Sequence, residues 1–323
     1  MAISFAQQRW QGRDKAIGTA AMTAHASLAF IGLGVMGGPM AGHLARAGHR
    51  VIAYNRSPER AAKWREAWAE EGLEIAFADT PAAAAQEADV AFTCVGNDED
   101  LAAVAFGETG VLATMAAGAL LVDHTTTSAD MARNLAEACQ ARAIGFVDAP
   151  VSGGEAGAVN GKLAIMCGGS AADLARAEPV MQAYAKAIVH VGPPGAGQTA
   201  KMANQMCIAG VLAGLSEAVR LAEAAGLDLG KTYEAISGGA AQSWQMDNRW
   251  PTMTADSFDF GFAIDWMRKD LGYALDEARR LGLAAPVTAL VDQFYADVQA
   301  AGGGRKDTSA LITRLPRRVP QEG

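Results

Sequence analysis

The first regular stretch of the chain is Leu28-Ala29-Phe30-Ile31, four apolar residues without a polar break. A run of that length fits a strand buried on both faces of a parallel sheet. The turn Gly32-Leu33-Gly34-Val35-Met36-Gly37 leads into a helical pattern ending at Gly48, and a second strand spans Arg50 to Tyr54. Ser57 before Pro58 predicts an N-cap and first helical residue. A weaker strand, Leu73 to Phe77, precedes a helix opened by Thr80-Pro81. Asp89 to Val95, Leu120 to Asp123, Phe146 to Asp148 and Leu163 to Cys167 give further strands. Strands alternating with helices predict an α/β domain with a doubly wound, Rossmann-type sheet over residues 28–192.

Gly192-Pro193-Pro194-Gly195 breaks that alternation. Ala196 to Ala225 then carries apolar residues at helical spacing and is closed by Gly226. Gly210 and Gly214, four apart, hint at close helix packing there. Helices are also readable at residues 230–236, 264–281 and 286–301, with no strand pattern. An all-helical domain over residues 193–323, joined to the first by one long helix, is expected. Residues 1–27 include basic residues but no apolar signal-peptide core. They read as a mobile extension or as the product of an upstream start, Met22 lying just before the first strand.

Composition narrows the function classes. The chain has 323 residues, 50% hydrophobic and 19% charged, enough for two domains with large cores. A formal net charge of -8 without a Lys/Arg block argues against a nucleic-acid partner. Cys94, Cys139, Cys167 and Cys207 lack CxxC spacing, and three of them lie in apolar runs. Buried thiols in a reducing cytoplasm, and no metal site, are expected. No apolar run approaches the ~18 residues of a membrane span, so no membrane partner is expected.

The glycine turn carries specific chemistry. Gly32 suits the tight turn, Gly34 lets backbone N–H groups approach a pyrophosphate, and Gly37 lets helix and strand pack closely. The helix N-terminus adds free donors and a positive dipole end. After the second strand stands Asn55-Arg56-Ser57, where an acid would favour NAD. Arginine suits a 2′-phosphate and Ser57 adds a hydroxyl, which favours NADP; a solvated surface arginine is the plain alternative. Asn97 reads equally as a cofactor-ribose contact or a helix cap. Three polar clusters remain: Asp123-His124-Thr125-Thr126, Asp148 to Gly154, and Gly195 to Gln205. In the second, Ser152, Gly153 and Gly154 could cradle a carboxylate. In the third, Lys201, Asn204 and Gln205 share one helix face. Spacing alone leaves a solvated lysine the commoner reading.

These motifs resemble the β-hydroxyacid dehydrogenase family, which includes 3-hydroxyisobutyrate dehydrogenase and tartronate semialdehyde reductase. FIGLGVMGGPMAGHLARAGHRV is similar to its cofactor signature and DAPVSGGEAGAVNGKL to its substrate signature. GAGQTAKMANQ resembles its catalytic helix and RKDLGYALDEA its C-terminal Lys-Asp motif. The resemblance implies hydride transfer between NADP, or NAD, and a short β-hydroxy acid or its semialdehyde. It makes Lys201 the general acid–base and Ser152, Gly153 and Gly154 the carboxylate site. Asn204 or Gln205 would position substrate, where many members have Asn-Asn. Thr125 stands where serine is usual and would touch both substrate and cofactor. Cofactor contacts are expected from Gly32, Leu33, Gly34, Val35, Met36, Gly37, Asn55, Arg56, Ser57, Val95, Asn97, Thr125 and Lys269. Lys269 would lie over the nicotinamide, with Asp270 as its partner. A homodimer or homotetramer is implied.

His124 reads as a neutral histidine packed at a strand end. Trp244 and Trp266 wall the pocket or pack in the core. The alternatives are a tartronate-, succinic- or glyoxylic-type semialdehyde reductase, an imine reductase, which generally lacks this lysine, or a non-catalytic NADP sensor. True 6-phosphogluconate dehydrogenase is a much longer chain.

Overall fold

The computed structural model describes residues 26–317. The extension expected over residues 1–27, Met22 included, therefore lies outside the described residues except at its end, where Ala26 is buried and Ser27 already begins a strand. The first unit runs β1 (Ser27–Ile31), α1 (Gly37–Arg46), β2 (Arg50–Tyr54), α2 (Pro58–Glu70), β3 (Ile75–Phe77), α3 (Pro81–Ala85) and β4 (Val90–Thr93). It continues with α4 (Asp98–Ala105), β5 (Leu120–Asp123), α5 (Ala129–Gln140), β6 (Gly145–Asp148), β7 (Val151–Ser152) and α6 (Gly154–Val159). Its end is β8 (Leu163–Gly169), α7 (Ala171–Met181) and β9 (Ala185–Gly192).

Six strands lie parallel in the order β3-β2-β1-β4-β5-β6. The order reverses between β1 and β4, so the loops after these strands open a crevice at the sheet's C-terminal edge. β8 then runs antiparallel to β6 and β7, and β9 lies parallel to β8. The unbroken apolar strands follow from burial on both faces. In β1, Leu28 and Phe30 enter one core layer while Ala29 and Ile31 enter the other.

The second unit is helical: α8 (Ala196–Ala224), α9 (Leu229–Ser237), α10 (Trp244–Thr254), α11 (Ile264–Arg280), α12 (Pro286–Val298), a π-turn over 299–303 and a 3-10 segment, Thr308–Arg314. Its core joins Leu212, Leu215, Trp250, Ile264, Leu271 and Tyr295. The expected elements are all present, some with ends shifted by a few residues. β7, β9, α10 and the 3-10 segment had no readable sequence pattern.

Three expectations need correction. α8 is long and apolar enough to cross a membrane by length and composition, with a mean hydropathy of 1.3 over its best window. Here it packs against α10, α11, α12, β8 and β9. Gly210 meets only Val287 at van der Waals range, and a side chain at Gly214 would meet nothing, so neither marks a tight helix contact. Cys139 and Cys167 are buried, but Cys94 is half-buried and Cys207 exposed.

The joint between the two units is specific. Asp148 ends β6, and its carboxylate accepts N–H bonds from Gly195 at 2.8 Å and Gln198 at 2.9 Å, capping the start of α8. A side chain at Gly197 would run into the Met166 carbonyl and Asp148, so the helix lies almost on the strands. Burial is the larger influence on Asp148 and raises its carboxyl above the usual range, even with these donors. Asp148→Ala would leave buried N–H groups unpaired and is expected to cost about 2–4 kcal/mol. Urea titration would show this as a lower midpoint at unchanged slope; a loss under about 1 kcal/mol would contradict the capping role.

Candidate active site

The glycine loop closes the crevice on one side. Gly32 has φ 101°, and any side chain there would meet the Cys94 carbonyl. Its neighbour is strapped down: Leu33 N–H donates to Asn55 Oδ1 at 2.9 Å, and Asn55 Nδ2 donates to the Ser57 carbonyl at 2.9 Å. Leu33 itself is fully buried, and Trp64 Nε1 donates to its carbonyl. The N–H groups of Gly34, Val35, Met36 and Gly37 meet no acceptor among the described residues. α1 has no side-chain cap, Val35 is exposed, and a Cβ at Gly34 would meet nothing. Four free donors at an open helix N-terminus fit a pyrophosphate.

At the end of β2, Arg56 is exposed and its Nη1 donates to Asp100 Oδ1 at 2.6 Å. The Ser57 hydroxyl caps α2, accepting from Arg60 N–H, and donates to Glu59 at 2.8 Å. Asn97 caps α4 through Asp100 N–H at 2.8 Å. Both hydroxyl and amide thus have structural partners, whatever else they touch.

The end of β5 is rigidly held. Asp123 Oδ1 accepts from the Thr93 hydroxyl at 2.7 Å and from Thr125 N–H at 3.1 Å. Its Oδ2 is buried without a hydrogen bond among the described residues, and burial pushes its carboxyl up to about 7. The Thr125 hydroxyl accepts from Val95 N–H at 3.1 Å, joining two of the expected contacts. His124 points away from the crevice: Nδ1 bonds the Ala149 carbonyl, Nε2 bonds the Tyr184 hydroxyl, and the ring stacks on Phe92. Burial lowers it to about 4, so it is a neutral packing residue.

α8 enters next to these loops. The Gln198 amide donates to the Thr125 carbonyl at 2.7 Å and accepts from Thr127 N–H at 3.0 Å. Nothing in its sequence spacing singled out Gln198; only its place in the third motif pointed there. One turn on, Lys201 is 8% exposed, and its Nζ makes no hydrogen bond or ion pair among the described residues. Desolvation lowers its pKa below 10.5, opposed by Asp270 and reinforced by Lys269.

The helical unit supplies the other wall. Lys269 Nζ donates to the carbonyls of Gly96 at 2.8 Å and Thr126 at 2.7 Å, and lies 3.2 Å from Asp270 Oδ1. Gln205 Nε2 donates to Asp270 Oδ2 at 2.6 Å, and Asn204 Nδ2 donates to Gln205 Oε1 at 2.8 Å. Thr125, Lys201, Asn204, Gln205 and Lys269 thus belong to one connected neighbourhood of loops and helices. Ser152, Gly153 and Gly154 are not bonded to it. They end β7 and begin α6, with Gly153 and Gly154 both at positive φ. Neither tryptophan packs in the core: Trp244 is 53% and Trp266 38% exposed. Trp266 lies beside Gly96 and under Lys269, whereas Trp244 stacks with Arg249.

Comparison with known proteins places this geometry. Residues 27–192 match the NAD binding domain of 6-phosphogluconate dehydrogenase, and residues 195–315 match the NAD-binding domain of NADP-dependent 3-hydroxyisobutyrate dehydrogenase. An uncharacterized oxidoreductase of Shewanella frigidimarina is 57% identical over 90% of this chain and 99% of its own. The 2-hydroxy-3-oxopropionate reductase of Escherichia coli is 36% identical over 89% of this chain and 96% of its own. The structure of Mycobacterium tuberculosis 3-hydroxyisobutyrate dehydrogenase with L-serine superposes with a TM-score of 0.81 at 34% identity, covering 91% of this chain and 99% of that one. With the glycine loop, the buried lysine and the Lys-Asp pair in one fold, the chain belongs to the β-hydroxyacid dehydrogenase family of NAD(P)-dependent oxidoreductases.

Proposed function

We propose that this enzyme interconverts a short β-hydroxy acid, of the 3-hydroxyisobutyrate type, and its semialdehyde, with Lys201 moving the proton. The observation that carries the reading is the burial of Lys201 with no hydrogen-bond or ion-pair partner among the described residues, one turn from Gln198, which grips the loop behind Thr125. An ammonium so desolvated gives up its proton more readily than a solvated lysine. A nicotinamide cofactor, held at the glycine loop, would supply the hydride acceptor for the carbinol carbon. Lys201 Nζ removes the hydroxyl proton during oxidation and returns one to the carbonyl oxygen during reduction.

Ser152, Gly153 and Gly154 would receive the carboxylate, and Thr125 with Asn204 or Gln205 would orient the reacting carbon. Gly34 to Gly37 would hold the pyrophosphate, and Val95, Asn97 and Lys269 would border the nicotinamide half. Lys269 donates to the Gly96 and Thr126 carbonyls and is ion-paired with Asp270, which suits it to shaping that border. Reduction of a tartronate-type semialdehyde is the second reading, favoured by the similarity to 2-hydroxy-3-oxopropionate reductase. A small-molecule reaction in the cytoplasm by a homodimer or homotetramer completes the proposal.

NADP is the proposed cofactor, because Arg56 is exposed and among the described residues is ion-paired only with Asp100, which a 2′-phosphate could displace. The Michaelis constant for NADPH should therefore lie below that for NADH. Arg56→Asp should narrow or reverse the difference, since it replaces a phosphate partner with a repulsive charge. Equal preference in the unmodified enzyme would sink this assignment.

Lys201→Ala should lower turnover roughly 100-fold or more, the usual scale for one acid–base group, with little change in cofactor binding. Lys201→Arg separates two roles. Guanidinium keeps the charge but does not release a proton near neutral pH, so its turnover should stay almost as low. Near-normal turnover in Lys201→Arg would leave residue 201 as a carboxylate anchor only.

A further inference from the structure

Asn204 and Gln205 follow Lys201 by three and four residues, about 60° to one side of it and 40° to the other on the helix. Position alone makes either one a partner for the substrate. Their hydrogen bonds do not. The Asp270 carboxylate can only accept, so it fixes Gln205 with Nε2 facing it at 2.6 Å. That turns Gln205 Oε1 the other way, where it accepts from Asn204 Nδ2 at 2.8 Å. The direction of both amides is thus set by the carboxylate at the end of the row. Among the described residues, Asn204 is left with its carbonyl oxygen and one N–H unengaged, on a half-buried side chain. Gln205 is 2% exposed with both polar atoms engaged. Turning it toward a ligand would take the hydrogen-bond donor from the buried Asp270 Oδ2, a costly change.

We infer that Asn204 meets the reacting oxygen of the substrate in this chain, and that Gln205 is a positioning residue acting through Asn204. The inference rests on Lys201 being the proton-transfer group proposed above. The unengaged N–H of Asn204 donates to the hydroxyl oxygen, or to the carbonyl oxygen it becomes, and so holds that oxygen toward Lys201 Nζ. The row starts from a fixed point, because Lys269, next to Asp270, is anchored on the carbonyls of Gly96 and Thr126. The same loops that border the cofactor therefore orient the amide that receives the substrate.

The test is a double-mutant cycle read in steady-state kinetics with 3-hydroxyisobutyrate and NADP+. Asn204→Ala should raise the hydroxy-acid KM or lower kcat/KM about tenfold, the scale of one hydrogen bond, with the NADP+ KM unchanged. Gln205→Leu should give a smaller loss of the same kind, about threefold to tenfold, in the unmodified background. In the Asn204→Ala background it should give no further loss, because its effect passes through the amide already removed. Gln205→Asn, one methylene too short to keep both bonds, serves in its place if the leucine variant does not fold. Equal losses from the position-205 change in both backgrounds would overturn the inference and make Gln205 an independent substrate contact. Unchanged kinetics in Asn204→Ala would overturn it as well. Neither result touches the role of Lys201, which is tested separately by the turnover of Lys201→Ala and Lys201→Arg.

Discussion

The carboxylate of Asp148 at the start of α8 is the constraint on which the site depends. A 29-residue helix must begin somewhere, and its first N–H groups need acceptors once they are buried. Here the acceptor is the last residue of β6, so the helix axis is fixed to the sheet's C-terminal edge. Every residue of the next two turns inherits that position. Gln198 reaches the loop after β5, and Lys201 is carried into the dry space between the two units. A cap elsewhere would leave the same sequence helical and the same lysine in solvent.

Desolvation then lowers the Lys201 pKa, which is what the proposed proton transfer asks of it. Lys201 has charged neighbours of both signs, Asp270 and Lys269, whose influences oppose each other. Burial is the larger influence and favours the neutral amine. Lys269 differs although it lies nearby: two backbone carbonyls and a carboxylate hold its ammonium in place. Two lysines of one site are thus held differently: Lys201 is desolvated, as its proposed role asks, and Lys269 clasps the helical unit against the loops. The row from Asp270 through Gln205 to Asn204 extends that clasp toward the place where a substrate would sit.

Much of this was legible in the sequence, for local reasons. The apolar runs, the glycine turn and the Ser57-Pro58 cap are short-range signals, and each gave its element within a few residues. β9 was missed because Ala185 to Gly192 places lysine and histidine among its apolar residues and is largely exposed. α10 was missed because Pro251 lies inside it. Within the site, residue types were readable but partners were not. Asp148 appeared as a strand end beside a substrate motif, and only the fold shows it capping a helix some fifty residues later. Gln198 and the choice between Asn204 and Gln205 likewise depend on contacts between distant segments, which spacing does not encode. The two tryptophans also depend on the fold: Trp266 lies against Gly96 and Lys269 and Trp244 against Arg249, partners that nearness to a motif does not specify.

The most direct measurement of the central claim is the pH dependence of turnover in both directions, with one short hydroxy acid and its semialdehyde. Oxidation needs neutral Lys201, so its rate should rise with pH and level off. Reduction needs the ammonium, so its rate should fall through the same inflection, below the usual lysine value of 10.5. Opposed limbs identify the group that exchanges the proton. A group such as Asp123, held near 7 and needed in one form for shape alone, would give limbs of the same direction both ways. Limbs running in the same direction, or no turnover with any short hydroxy acid, would contradict the account.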